Sequence, residues 1–300
     1  MQKIGLTLGP ALFNWDPNRL LGFYRGIAEE SKFDRVHLGE VVCGKRMPFS
    51  DPFWPDLIDL LEASGKEVVL STLALPSTGR ERKAVAAICS DDSHLVEIND
   101  VTALPLRKGK PFVGGPLVNV YNEGTAAFLA TRGAKTICLP VELPMTSVAV
   151  IAKACPDIEI EVFAFGRLPL ALSSRCYHAR LHGLHKDSCQ FVCEKDLDGL
   201  AVDTIDGQAF LAVNGVQTLS QGVQAFCPTS AEAASLGIRR LRVSPHTADM
   251  VKVSEVYRGL LDGLIDPAQA REQLLGLGLP GELVDGYARG VAGCASAAVA

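Results

Sequence analysis

What this chain lacks excludes several kinds of function. It has no basic excess: 29 Lys and Arg stand against 34 Asp and Glu, for a net charge of −5. A nucleic-acid surface ordinarily needs a basic face, so that class is excluded. No apolar run approaches the roughly 20 residues that cross a bilayer. The opening MQKIGLTLGPALFNWDP also lacks the apolar core of a signal peptide. No G-x-G-x-x-G follows a strand-like run and no G-x-x-x-x-G-K-[ST] occurs, which removes the usual glycine-rich phosphate cradles. HExxH and G-x-S-x-G are missing too, and with them two common peptidase and hydrolase signatures. These absences lead us to expect a cytoplasmic protein without a membrane span. In a reducing compartment, nine cysteines speak for metal binding rather than disulfides.

The residues that are present form a regular alternation. Short β-rich runs at Ile4–Leu8, Arg35–Leu38, Glu67–Ser71, His94–Ile98, Pro111–Gly114, Thr136–Leu139, Glu159–Ala164 and Arg239–Val243 read as strands. Helical segments lie between them, such as Pro17–Ser31, Pro52–Ser64, Gly79–Ser90, Glu123–Arg132 and Thr146–Ala154. Strands alternating with helices pair in parallel through right-handed crossovers, and eight units fit an α/β (β/α)8 TIM-barrel-like fold. The chain reads as one domain over 1–300, with an insertion at 166–222 after the seventh strand. That insertion is expected to hold no barrel strand and to make tight hairpin turns at DLDG and TIDGQ. The small-residue tail CASAAVA is expected to fray.

In such a barrel, chemistry gathers at the carboxyl ends of the strands. Those ends carry Glu40, Thr72, Asn99 and Asp100, then Asn119, Tyr121 and Asn122, then Glu142, and finally Ser244-Pro245-His246. Glu40 and Glu142 are candidate catalytic acid/base groups, or carboxylates bound to backbone at a strand end. Asn119, Tyr121 and Asn122 could line a substrate pocket or cap the next helix. Cys43 follows the second strand, and Cys176, Cys189 and Cys193 follow the seventh in the spacing C-x12-C-x3-C. All four thus belong to one face, and four thiolates are the usual ligand set of a cubane iron–sulfur cluster. His178, His182 and His185 repeat at i, i+4 and i+7, so a zinc site shared with Cys189 and Cys193 is the alternative. Lys45, Arg46, Arg175, Arg180 and Lys186 flank the cysteines, where cations would tune the potential of a negatively charged cluster; the bland reading is solvated surface charge. Arg175 is the exception, placed where a guanidinium could hold a substrate carboxylate bidentately. Cys138, Cys89, Cys155, Cys227 and Cys294 lack partner spacing and read as core or surface thiols.

The segments HLGEVVCGKR, SGKEVVLSTLAL, KPFVGGPLVNVYN, LPVEL, FGRLPLALSSRCYHAR, VNGVQTLS and LRVSP carry a resemblance over nearly the whole chain. It resembles the collagenase-like peptidase family, in the iron–sulfur hydroxylase branch that serves ubiquinone synthesis. The resemblance implies a 4Fe–4S cluster on Cys43, Cys176, Cys189 and Cys193. It also implies a heterodimer with a UbiU-like partner, and oxygen-independent hydroxylation of a polyprenylated aromatic quinone precursor with prephenate as an oxygen donor. The sister subunit carries a cysteine seven residues beyond the first of its cluster run; here that position is Gly183.

Overall fold

In a computed structural model, which describes residues 3–296, eight parallel strands close into a barrel. They are β1 (Gly5–Leu8), β2 (Arg35–Leu38), β3 (Glu67–Ser71), β4 (Leu95–Ile98), β5 (Phe112–Gly114), β6 (Ala134–Cys138), β7 (Glu159–Leu172) and, after the insertion, β11 (Ile238–Val243). β11 pairs with β1 on one side and β7 on the other, which removes both free edges. Between them run helices whose starts are written in the sequence. Asp16 accepts the N–H groups of Asn18 and Arg19, and Thr78 forms a capping box with Glu81. The helix Pro17–Glu30 buries Leu20, Tyr24, Ile27 and Ala28, an i, i+4, i+7, i+8 stripe. Each of its larger apolar side chains contributes about 2 kcal/mol by leaving water.

The barrel interior is polar at two levels. Near the strand starts, Arg35 Nε lies 2.8 Å from Glu67 and Arg240 Nε lies 2.9 Å from Glu159, with Thr136 hydroxyl joining the two pairs. Farther up, Arg242 Nη2 lies 2.6 Å from Glu97 Oε1 and 3.1 Å from Glu161 Oε2. Ser71 hydroxyl donates to Glu97 at 2.7 Å, and His37 completes the group. Burial is the largest influence and would raise both carboxyls, but Arg242, His37 and the hydrogen bonds the carboxylates accept together outweigh it and hold Glu97 and Glu161 below the usual carboxylate range.

The insertion differs from the expectation at its start. β7 does not stop at Ala164 but runs to Leu172. Its first half lies in the barrel, and its second half pairs antiparallel with β10 (Gln217–Ala225). β10 pairs in turn with β9 (Ala209–Asn214), β9 with β8 (Leu200–Asp203), and a short β12 (Leu283–Val284) adds to β10. The insertion is therefore a ribbon grown from a barrel strand. TIDGQ does turn a hairpin, between β8 and β9; DLDG makes a tight turn that only leads into β8, with Gly199 N–H on the Asp196 carbonyl. The tail is tied down through Ser296: Asp285 N–H reaches the Ala295 carbonyl and Arg271 donates to Ser296 Oγ. Residues 297–300, the remainder of the expected fray, lie outside the described residues. Among the described residues, no helix is long and apolar enough to cross a membrane.

Candidate metal centre

The loop after β2 begins with a constraint on its backbone. Gly39 has φ 130°, and a Cβ there would lie 2.5 Å from the Ser71 carbonyl oxygen, so only glycine fits. Glu40 comes next and is buried. Its Oε1 accepts the N–H groups of Val42 at 2.7 Å and Cys43 at 2.9 Å, which folds the chain so that Cys43 heads the loop. Arg46, 3% exposed, fastens this loop to the insertion. It donates to the Leu12 carbonyl at 3.2 Å, to Asn214 Oδ1 at 2.6 Å and to Cys193 Sγ at 3.6 Å, with Glu40 Oε1 at 3.8 Å. Asn214 in turn donates to the carbonyls of Cys193 and Asp196. Gly215, at φ 67°, leaves the room: a Cβ there would lie 2.6 Å from Arg46 Nη2.

On the insertion side, Cys176 caps the short helix Tyr177–Leu181. Its sulfur accepts Ala179 N–H at 3.4 Å, and its thiol donates to the Gly215 carbonyl at 3.2 Å. Cys189 and Cys193 are separated by two successive left-handed residues, Gln190 (φ 49°) and Phe191 (φ 54°). Such non-glycine positions cost about 1–3 kcal/mol each and persist where surrounding structure enforces them.

Cys43, Cys176, Cys189 and Cys193 line one pocket together with Lys45, Arg46 and Lys186. Cys43, Cys176 and Cys189 pack in a small apolar cluster with Leu12, Val41, Val42, Ala74 and Val216, apart from the main core. Burial pushes the thiols of Cys43 and Cys176 up; the Arg46 guanidinium pulls the first back and the Ala179 N–H the second. A single tetrahedral zinc with sulfur at about 2.3 Å needs its sulfurs about 3.8 Å apart. Among the described residues, no three of these sulfurs lie within 4.8 Å of one another. A cubane takes one thiolate at each of four separated corners and so does not need its sulfurs that close. The pocket is about 20 Å³, the room of about one water, and Cys43 and Cys189 are its partly exposed thiols.

The remaining candidates scatter. Glu40 and Glu142 line different cavities, so the structure does not bring them together as an acid/base pair. Glu40 is the carboxylate bound to backbone; Glu142 accepts from Tyr121 hydroxyl at 3.3 Å and faces a cavity of about 240 Å³ with Asn119. Asn122 accepts Thr125 N–H at 2.8 Å and caps the helix Glu123–Thr131. Arg175 is exposed and lines a larger cavity, about 850 Å³, with Lys45, Arg80, Arg180 and Lys186. Thr72 and Asn99 are buried and bonded to each other at the barrel mouth, and Asp100 caps a short turn. The mouth itself is filled: about 20 Å³ remains beneath Pro10, Leu12, Leu117 and Pro169. His246 accepts Arg167 N–H and pairs with Asp198, fixing the insertion to the eighth barrel strand.

The histidine repeat breaks because its helix stops at Leu181 and Gly183 turns at φ 69°. His185 lines the large basic cavity instead of joining His178 and His182. Sequence reasoning missed Asn214, Asp196 and the burial of Arg46. The signal for Arg46 was its place in C-G-K-R, three residues beyond a cysteine, where a cation acting on the thiol centre and a solvated charge are both open readings. Cys89, Cys138, Cys155 and Cys227 are buried away from the pocket, and Cys294 is exposed. Residues 26–284 match the model of Peptidase family U32, and the chain belongs to that family.

Proposed function

We propose that this chain is the iron–sulfur subunit of an oxygen-independent hydroxylase of ubiquinone synthesis, similar to the protein UbiV and working with a UbiU-like partner. The observation that carries this reading is the meeting of Cys43 with Cys176, Cys189 and Cys193 at one pocket. Those four residues would hold a 4Fe–4S cluster, which supplies one-electron transfer rather than Lewis-acid chemistry when every iron bears a thiolate. Arg46, Lys45 and Lys186 line the pocket and offset the negative charge of four thiolates. Arg46 and Asn214 hold the two cysteine-bearing stretches in register.

The family name speaks of peptidases, yet the Ser71–His37 contact is sealed in the barrel, both side chains having no exposed surface. It is out of a peptide's reach. A second reading, that this subunit relays electrons or supports a catalytic partner, is favoured by the filled barrel mouth and by Glu40 being spent on backbone. Arg175 and its basic cavity, with Asn119 and Glu142 at the smaller one and Tyr121 bonded to Glu142, are the places where this chain would contact substrate or a carboxylate oxygen donor such as prephenate.

The test is anaerobic assay of the assembled pair for gain of one oxygen on the polyprenylated ring. Cys189→Ser should abolish the reaction and Cys155→Ala should leave it intact. Full activity in Cys189→Ser overturns the proposal. Loss in Glu142→Ala places chemistry on this chain, and unchanged activity there supports the relay reading.

A further inference from the structure

Behind the thiol pocket lies a second constellation that the four cysteines do not use. His178, His182 and Asp196 each present one ligand atom, and these atoms lie within 4.8 Å of one another. They come from the two segments that carry the cysteines: His178 is two residues past Cys176, and Asp196 three past Cys193. His178 is fully buried, with the Val213 backbone and the Asp196 carboxylate as the polar neighbours of its ring. Its Nε2 lies 3.0 Å from Asp196 Oδ2. Two neighbouring ligands of one octahedral ion, each at about 2.1 Å, also stand about 3.0 Å apart. His182 Nδ1 lies 3.1 Å from the His178 carbonyl. A carbonyl only accepts, so Nδ1 carries the proton and Nε2 keeps the free lone pair, the tautomer that binds a metal. The two rings stack at 5.3 Å and 2°, the i, i+4 arrangement that helical metal sites use. Asn214, which is fully buried, holds the Asp196 carbonyl, so the carboxylate-bearing turn is fixed before any ion arrives.

We propose that His178, His182 and Asp196 form a mononuclear site for a divalent first-row transition ion, distinct from the cysteine pocket. Two imidazoles and one carboxylate leave open coordination positions, the pattern of non-haem iron(II) sites and their cobalt and zinc analogues. His182 is exposed and Asp196 partly so, which gives the ion its path in from solvent.

The probe is Co2+, titrated anaerobically into the full chain carrying Cys43→Ser and Cys189→Ser. Both substitutions fall on half-exposed residues and remove half of the competing thiols. We expect one Co2+ per chain, with weak visible ligand-field bands and no sulfur-to-cobalt charge-transfer absorption. Adding His182→Ala should weaken binding at least about 10-fold without altering the far-ultraviolet circular dichroism, and Asp196→Asn should weaken it as well. Absence of saturable binding, binding that survives both substitutions, or charge-transfer absorption marking a sulfur ligand would each overturn the site. Should the double serine variant fail to fold, the chain with all its cysteines decides: its total Co2+ must fall by one equivalent on His182→Ala, and an unchanged total refutes the proposal.

Discussion

Replacing Arg46 by Met tests how the two halves of the cysteine pocket are held together. The methionine keeps most of the apolar stem and removes the guanidinium. With it go the bonds to Asn214 Oδ1 at 2.6 Å and the Leu12 carbonyl at 3.2 Å, and the contact with Cys193 Sγ at 3.6 Å. Glu40, whose side chain is 8% exposed against 3% for Arg46, loses its cation in the same step. Hydrogen bonds from a charged group contribute about 1.5–3 kcal/mol each, and removing one partner of a buried ion pair costs about 3–5 kcal/mol. These overlap because they share one side chain, so a loss of about 3–5 kcal/mol is expected for the whole. At about 2 °C per kcal/mol for a chain of this size, Tm should fall by roughly 6–10 °C. Thermal unfolding followed by circular dichroism, under reductant at neutral pH, reads this directly. Arg46→Lys should fall between, because an ammonium keeps the charge but cannot reach Leu12 and Asn214 together. A Tm within about 2 °C of the parent in Arg46→Met would refute the clasp and leave the register of the two stretches unexplained.

Gly39→Ala should destabilise the chain by at least about 1–3 kcal/mol, since an L side chain is strained at φ 130° and its Cβ meets the Ser71 carbonyl; a urea midpoint equal to the parent's would count against that reading. Acid should weaken the barrel through Glu97 and Glu161. Their folded carboxyls titrate below the unfolded value of about 4.3, so the stability they add is complete above that value and is lost as pH falls through the folded ones. The urea midpoint should therefore drop steeply below about pH 4.5 and less steeply in Glu97→Gln; identical profiles would show that the buried group does not govern acid unfolding. Cys155→Ala and Cys294→Ser should leave bound iron unchanged, because neither residue lines the thiol pocket; lost iron in either would redraw the ligand set.

Most of the barrel is legible in the sequence because its strands other than β7 are short β-rich runs that alternate with helical segments. β2 and β3 fall at the expected residues, and the helix Gly79–Cys89 ends one residue early. The eighth strand was found despite the long insertion, because LRVSP keeps its β-branched and apolar alternation. β7 escaped in part: the residues past Ala164 include Gly166 and Pro169, which usually end a strand, and here they sit where β7 changes partner from the barrel to β10. That switch depends on a partner 50 residues away, which local pattern cannot reveal. The cysteines were legible by spacing, and their meeting follows from the barrel's geometry. The roles of the surrounding polar groups were not. Arg46 and Arg242 look like ordinary charges in the sequence, and only three-dimensional pairing distinguishes a buried clasp from a solvated side chain, whereas Glu40 as a backbone-bound carboxylate is one of the two readings its strand-end position allows. In the structure Glu142 and Arg175 stand at open cavities.

Iron and acid-labile sulfide, quantified in protein purified without oxygen, test the thiol centre most directly. Four irons and four sulfides per chain are expected, with brown colour and broad absorbance near about 400 nm that each of Cys43→Ser, Cys176→Ser, Cys189→Ser and Cys193→Ser diminishes. A chain that holds zinc with no sulfide, or whose iron survives loss of Cys43, would contradict a cluster gripped by these four residues.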